Sequence, residues 1–190
     1  MRLILCVVAF LLSSTAMAGW SLDNEQSRLH FLSTKKGSIT ETHHFKKMVG
    51  SIAEDGQATL SIDLASVATQ IPTRDERMTT MLFDVANFPK AVITLSVNDM
   101  ATVKKLAVGT SVRQQVIANL KLHGAQQKLS ADLLVTAMAD GQLMVQTLAP
   151  IIIRVSDFDL VKGVEALRVV ANLPSIDLTS PVTFSLLFTP

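Results

Sequence analysis

Cysteine and large aromatic residues are scarce in this chain of 190 residues. It has one cysteine, one tryptophan and no tyrosine. Cys6 lies in an apolar N-terminal segment that we expect to be removed, so the mature chain would have no disulfide and no cysteine-ligated metal. Outer-membrane β-barrels need girdles of aromatic residues at both lipid interfaces. With Trp20 alone, these girdles cannot be built, and the sequence disfavours that class.

An excess of positive charge is also missing. Removing Arg2 with the N-terminal segment takes the lysines and arginines from 17 to 16, which equals the 16 aspartates and glutamates. Proteins that bind nucleic acid need a basic surface to neutralise phosphates. We therefore expect no nucleic-acid partner and no strong general attraction to anionic lipid.

The N-terminus has the pattern of a secretory signal peptide. Arg2 precedes an unbroken apolar run, Leu3–Leu12, and Ala16-Met17-Ala18 has the small-x-small pattern of a cleavage site. A membrane-spanning helix needs roughly 20 apolar residues, so the run is short for an anchor. We expect residues 1–18 to be cleaved after Ala18, with 19–190 forming one periplasmic domain. A short buried helix is the alternative.

Alternation of apolar and polar side chains dominates residues 19–190. It is clearest in five segments: 59–64, 93–98, 112–122, 128–136 and 182–189. One buried apolar face and one solvent-exposed polar face are typical of strands in an antiparallel sheet. Turn signals separate these segments, Asp140-Gly141 being the clearest hairpin. The sequence predicts an all-β fold of roughly eight antiparallel strands, a number that can close into a small barrel. Segment 164–171 fits a helix or a strand.

One helix interrupts the strand pattern. Thr73 and Glu76 have the spacing of a capping box, in which two side chains satisfy backbone amides at a helix start. Met78, Met81 and Leu82 then share one apolar face. The pattern predicts a short helix near 73–83 that caps one end of the barrel.

Short motifs are spread over the whole of 19–190. They are Trp20-Ser21-Leu22-Asp23, Arg74-Asp75-Glu76-Arg77-Met78, Phe83-Asp84-Val85, Phe88-Pro89, Ala118-Asn119-Leu120-Lys121-Leu122-His123-Gly124, and Arg154 with Asp157-Phe158. In their order and spacing they resemble the YceI-like family. The family usually has histidine where this chain has Glu76, and glycine where it has Asp159.

The resemblance implies a lipocalin-like barrel and a periplasmic or secreted protein that binds an isoprenoid or another long amphiphile inside it. The strand pattern alone fits a filled core equally well, and the resemblance favours a ligand. Inward strand faces would supply the cavity wall: Phe31, Leu60, Ile62, Leu95, Leu120, Leu133 and Phe184. Three further phenylalanines could close an end: Phe83, Phe88 and Phe158.

A ligand head group would need polar contacts at the rim. Arg74, Arg77 and Arg154 are the arginines within the motifs, and a planar guanidinium suits a phosphate or a quinone oxygen. Salt bridges to nearby aspartates are an equally good alternative role for them. The candidate partners of such bridges are Asp75, Asp84 and Asp157.

Metal binding and catalysis find less support. The only histidine pair, His43-His44, would point to opposite faces of a strand, so we expect no metal site and interpret both as solvated surface residues. Asp75 and Glu76 diverge by about 100° on a helix and make a poor acid–base couple. No Gly-x-Ser-x-Gly elbow occurs. We expect no catalytic residue and no cofactor.

The function expected from the sequence is that of a periplasmic carrier that holds an isoprenoid-like or other long-chain amphiphile in a barrel. Two alternatives remain: an envelope interaction module with a filled core, and an enzyme acting on an isoprenoid or quinone. The expected partner is the lipid itself. Homodimerisation and transient membrane contact are left open.

Overall fold

A computed structural model describes residues 19–190 of the chain; the expected signal peptide, 1–18, lies outside them. Eleven strands join in one antiparallel sheet. They are β1 Gly19–Lys35, β2 Ile39–Phe45, β3 Met48–Ala53, β4 Gln57–Asp63, β5 Val67–Ala68, β6 Lys90–Ser96, β7 Ser111–Leu122, β8 Ala125–Ala137, β9 Leu143–Thr147, β10 Ile151–Arg154 and β11 Thr179–Thr189.

Pairing between the first and last strands closes the sheet. Ser21 of β1 lies opposite Thr189 of β11, and Phe31 lies opposite Val182. The closed ring runs β1-β3-β4-β6-β7-β8-β9-β11 and back to β1. The predicted eight-stranded antiparallel barrel is therefore confirmed, and closure removes the exposed edges of an open sheet.

Two of the remaining strands, β2 and β10, pair with the ring strands β1 and β11 and lengthen the wall there. β1 pairs with β3 near its start and with β2 near its end, while β11 pairs with β10 and then with β9. Asn24 holds the break between β2 and β3: its side chain donates to the carbonyl of Lys46 and accepts from the amide of Met48. The wall is thus continuous over part of its height and divided at one end.

Alternation decides which residues face the interior. In four of the five alternating segments, every second residue is apolar and lines the cavity, and β7 follows the same pattern from Val116 onwards. The predicted hairpin turn has the required backbone, with φ of 56° at Asp140 and 72° at Gly141. Two consecutive residues with positive φ match the twist of the paired strands.

Three short helices accompany the barrel: α1 Pro72–Arg77, which continues as a π-helical turn Met78–Leu82, α2 Met100–Lys104 and α3 Val161–Val170. The predicted capping helix is confirmed in α1 and its π-helical turn. Segment 164–171, left open above, is the body of α3.

The predicted capping box of Thr73 and Glu76 is wrong. Helix α1 begins one residue earlier, at Pro72, with Ile71 as the N-cap and no side-chain capping bond. Proline suits the first helical position because its φ is already fixed near the helical value. Asp75 instead receives hydrogen bonds from the amide and hydroxyl of Thr69, which ties the incoming loop to the helix.

The two ends of the barrel are built differently. Strand pairing places α1, α3 and the β1–β2 turn at one end, here called the helical end, and α2 at the other. Gly163 allows α3 to pack closely on the π-helical turn of α1. No helix within 19–190 is long and apolar enough to cross a membrane.

Candidate functional site

A cavity of about 580 Å³ occupies the barrel interior. Small-molecule pockets of proteins usually measure about 300–1,000 Å³. Its wall is mainly aliphatic, built from the inward residues of the ring strands and of the two helices at the helical end. The strands bury these side chains from solvent, yet the side chains leave space between them. The interior is therefore not a filled core.

Most of the predicted cavity residues line this space. They are Phe31, Leu60, Ile62, Phe83, Leu95, Leu120, Leu133 and Phe184. Seven of these lie on inward strand faces, and Phe83 follows the π-helical turn of α1. Period-two alternation brings them together from strands far apart in the sequence.

Two predicted residues, Phe88 and Phe158, lie outside the cavity wall. The Phe88 ring packs against His123 at a tilt of 53°, with a centroid distance of 4.5 Å, and covers Gly124 in the β7–β8 turn. Phe158 is fully buried, and its carbonyl lies 3.2 Å from Nδ1 of His123. These residues form a separate cluster that packs the β7–β8 turn against the segment after β10.

The cavity is closed at one end and open at the other. Met100 and Val103 of α2 contribute to its wall at the far end and are buried. At the helical end, lining residues reach solvent: Ile71 and Thr73 at the start of α1, and Val170 and Asp177 at the end of α3 and beyond it. The opening therefore lies between α1 and the segment after α3, and we call it the mouth.

Four side chains near the mouth form what we call the polar cluster: Lys35, Glu41, His43 and Arg74. The first three lie on the inward faces of β1 and β2, and Arg74 comes from α1. One oxygen of Glu41 accepts from Nζ of Lys35 at 2.7 Å and from Arg74 at 2.9 Å. Hydrogen bonding from Lys35, together with the Arg74 guanidinium, holds the pKa of Glu41 below its usual value.

Arg74 is held in place by two contacts. One terminal nitrogen donates to Glu41, and the other donates to the carbonyl of Thr69 at 2.7 Å. The third nitrogen, Nε, is buried and has no hydrogen-bond partner among residues 19–190. The two contacts use two of the five N–H groups of the guanidinium, and three remain for other partners.

His43 is buried beside it, with 3% of its surface exposed and its ring 5.4 Å from that of Phe31. Burial, and after it the charge of Arg74, lowers the pKa of His43, so the ring is neutral at neutral pH. Its Nδ1 has no hydrogen-bond partner in the described part of the chain. The expectation of a solvated surface histidine is wrong for His43, because β2 turns this position inward.

His44 points the other way, as the alternation requires, and its ring lies 6.2 Å from that of His30 on the neighbouring strand. No group of three or more potential metal ligands occurs within the described residues. Sequence reasoning also missed Gln114, a buried polar residue of the wall on β7.

The three arginines proposed as head-group contacts differ in position. Arg74 and Arg77 both line the cavity at the mouth, whereas Arg154 is exposed on β10 and lies outside the wall. The alternative role, a salt bridge to a nearby aspartate, is not what Arg74 adopts. Its carboxylate partner is Glu41, which lies 33 residues away in sequence.

Comparison with known proteins places this barrel in a family. The sequence model of the YceI-like domain matches residues 20–188. The chain belongs to the YceI-like family. The structure of a polyisoprenoid binding domain from Saccharophagus degradans is 40% identical, with a TM-score of 0.87, over 90% of this chain and 97% of that one. Burkholderia cenocepacia BcnA is 18% identical with a TM-score of 0.64, over 87% and 98%, and shares the fold. Curated protein sequences gave no significant match.

One departure from the YceI-like pattern has a clear structural setting. Asp159, where glycine is usual, has φ of 54° and ψ of 30° at the end of the turn Val155–Phe158. Glycine adopts this left-handed conformation without steric cost, and aspartate is among the few other residues that visit it routinely. The substitution therefore retains the turn that leads into α3.

Proposed function

We propose that this protein is a periplasmic carrier or sequestering protein that holds an isoprenoid-like or other long-chain amphiphile in its barrel. The tail would lie in the aliphatic cavity and the polar end at the mouth. Binding is passive, and we propose no turnover of the lipid. The observation that carries the proposal is the cavity of about 580 Å³ inside a closed barrel.

The energetics favour a long apolar tail. Each methylene moved from water into an apolar site contributes roughly 0.8 kcal/mol. The wall of the cavity is mainly aliphatic, so a tail of many carbons gains affinity without any polar contact. Membership of the YceI-like family, with a relative named as a polyisoprenoid binding domain, makes isoprenoids the first ligands to test.

Native mass spectrometry after gentle extraction tests the proposal. We expect the protein to carry lipid, or to take up an added polyprenyl lipid with a rise in thermal midpoint, since a ligand that binds only the folded state stabilises it. A protein that is always empty and gains no stability from polyprenyl lipids would contradict the carrier function.

A pair of variants on β7 sharpens the test. Leu120 points into the cavity, whereas Ile117 lies on the outer face with 65% of its surface exposed. We expect Leu120→Trp to fold and to lose affinity for long-chain lipids, because the indole occupies part of the cavity. Ile117→Trp should bind lipid like the parent. If both variants bind equally well, the tail does not lie where we place it.

The proposed periplasmic location rests on the sequence pattern of residues 1–18. Expression of the full chain followed by cell fractionation should give a periplasmic protein that begins at Gly19. A full-length protein retained in the cytoplasm would contradict this part of the proposal.

A further inference from the structure

We propose that the helical end of the barrel docks on a lipid bilayer, with the mouth facing the membrane that supplies or receives the amphiphile. This proposal rests on the carrier function and names the partner surface of the same cavity. The observation behind it is a set of exposed apolar side chains at the mouth, which we call the apolar rim: Ile39, Ile71, Val169 and Val170.

The apolar rim lies on three separate segments around the mouth. Ile71 precedes α1, and Val170 ends α3 on the other side of the opening. Ile39 begins β2 and pairs with Lys35, whose side chain lines the cavity. Directly paired residues of neighbouring strands project to the same face of the sheet, so Ile39 also lies on the side of the mouth.

The rim continues the apolar wall of the cavity out to the surface. Ile71 and Val170 both line the cavity, yet 49% and 42% of their surfaces are exposed. Exposed apolar patches on folded proteins mark sites of contact with other proteins or with membranes. A long-chain amphiphile partitions into bilayers because its tail avoids water. A bilayer against the rim gives that tail an apolar path into the cavity.

The charge around the mouth matches a bilayer with zwitterionic head groups. The segments 35–41, 71–77 and 165–177 carry five cationic and five anionic side chains. Several of these are already paired, Arg168 with Glu165 among them. A balanced surface is neither steered towards a strongly charged protein nor repelled by lipid head groups. Apolar insertion of the rim therefore supplies the attraction, as it does for interfacial helices.

Flotation with vesicles of phosphatidylcholine, a zwitterionic lipid, tests the docking on the parent chain 19–190. We expect the protein to float with the vesicles. Raising the salt concentration should not release it, because salt screens attraction between charges and not the burial of apolar surface.

Val169 and Val108 are a matched pair at opposite ends of the barrel. They are 62% and 69% exposed, and neither lines the cavity. We expect Val169→Glu to weaken vesicle binding about fivefold, because a carboxylate loses hydration at the lipid interface. Val108→Glu, in the loop after α2, should float like the parent. Both variants should bind farnesol, a short prenol, like the parent when no vesicles are present.

Ile71→Asn removes a second rim side chain in a way that favours the fold. Ile71 is the N-cap of α1 and makes no side-chain capping bond. Asparagine is among the preferred N-cap residues. We therefore expect an unchanged or higher free energy of unfolding together with weaker vesicle binding.

Fluorescence shows which end of the barrel meets the lipid. The only tryptophan of the parent, Trp20, donates to the carbonyl of Gly141 at the α2 end. Vesicles that contain brominated phosphatidylcholine should quench the indole introduced by Val169→Trp. They should leave Trp20 of the parent and the indole introduced by Val108→Trp unquenched.

A parent protein that does not float, equal flotation of Val169→Glu and Val108→Glu, or quenching at the α2 end would overturn the docking proposal. So would a dimer in sedimentation experiments that Ile71→Asn dissociates, since the rim would then be a subunit interface. In each case, farnesol binding by the parent would leave the carrier function standing. A parent that floats but binds no farnesol would support the docking surface and contradict the carrier function.

Discussion

At the scale of single residues, His43 links burial to pH. Histidine has an ordinary pKa of 6.5, and burial lowers the pKa of His43 in the folded chain. Burial and neighbouring cations also lower the pKa of His44. As the pH falls below about 6.5, the unfolded chain takes up protons before the folded chain does. Stability is therefore greatest above that pH and is lost as the pH falls towards the folded-state values.

We predict that the free energy of unfolding decreases as the pH falls below about 6.5, with a slope of up to about 1.4 kcal/mol per pH unit from His43 and a smaller contribution from His44. Urea titrations of the apo protein across this range would measure it. His43→Phe should flatten the slope more than His44→Phe, because its pKa shift arises from deeper burial. A slope that is the same in His43→Phe as in the parent would show that another group is responsible. The carboxylates with lowered pKa, such as Glu41, contribute at lower pH.

At the scale of elements, the contact between α3 and the π-helical turn depends on one glycine. A Cβ at Gly163 would lie 2.7 Å from the carbonyl oxygen of Met81 and 2.8 Å from Cα of Leu82. Both are backbone atoms and cannot turn away. The close approach therefore requires glycine at this position.

We predict that Gly163→Ala destabilises the protein by about 1–3 kcal/mol, the usual cost of overpacking. The sign is diagnostic, because alanine in place of glycine within a helix otherwise stabilises by roughly 0.5–1 kcal/mol. Denaturant unfolding gives the free energy, and hydrogen exchange should show faster opening of 72–82. Lys162→Ala, an exposed neighbour on α3, is the control and should have little effect. A stabilised Gly163→Ala would mean that α3 does not pack this closely.

Some of these elements could be predicted from the sequence and others could not. The wall was predictable, because period-two alternation is a local signal and directly gives the face of residues such as Leu60 and Leu133. The start of α1 was misread, because Thr73 has capping-box spacing while Pro72 already occupies the first helical position. Asp159 adopts the left-handed backbone conformation that glycine usually provides at this position. The resemblance to the family can suggest this conformation, but composition cannot.

The polar cluster was the part of the site that sequence reasoning missed. Arg74 was a candidate because it lies in a motif, but its partner Glu41 lies on a strand that the alternation pattern did not reveal. β2 is rich in polar residues on both faces, and Phe45 at its end is its only apolar residue in the cavity wall, so no alternating apolar signal marks its inward positions. Only the pairing of β2 with β1, which sets His43 opposite Phe31, shows that these polar residues face the cavity.

At the scale of the whole molecule, a cavity closed at one end limits the length of tail it can hold. We predict that the thermal midpoint rises with the chain length of a series of added prenols and then levels off once the tail fills the cavity. Each buried methylene adds roughly 0.8 kcal/mol to the binding free energy. Because a ligand that binds only the folded state stabilises it, tighter binding raises the thermal midpoint. Differential scanning fluorimetry at fixed prenol concentration would measure it.

Leu120→Trp should shift the plateau to shorter prenols, because the indole occupies part of the cavity. Ile117→Trp, on the outside of the same strand, should leave the plateau unchanged. A midpoint independent of chain length would mean that the tail does not enter the barrel.

Both described termini lie at the α2 end. Ser21 pairs with Thr189, and the indole N–H of Trp20 donates to the carbonyl of Gly141 in the turn beside Pro190. An affinity handle or a surface linker attached after Pro190 would therefore point away from the mouth. Protein immobilised in this way on a sensor chip would present its entrance to the flowing solution, and lipid exchange could be followed in real time without the attachment blocking access.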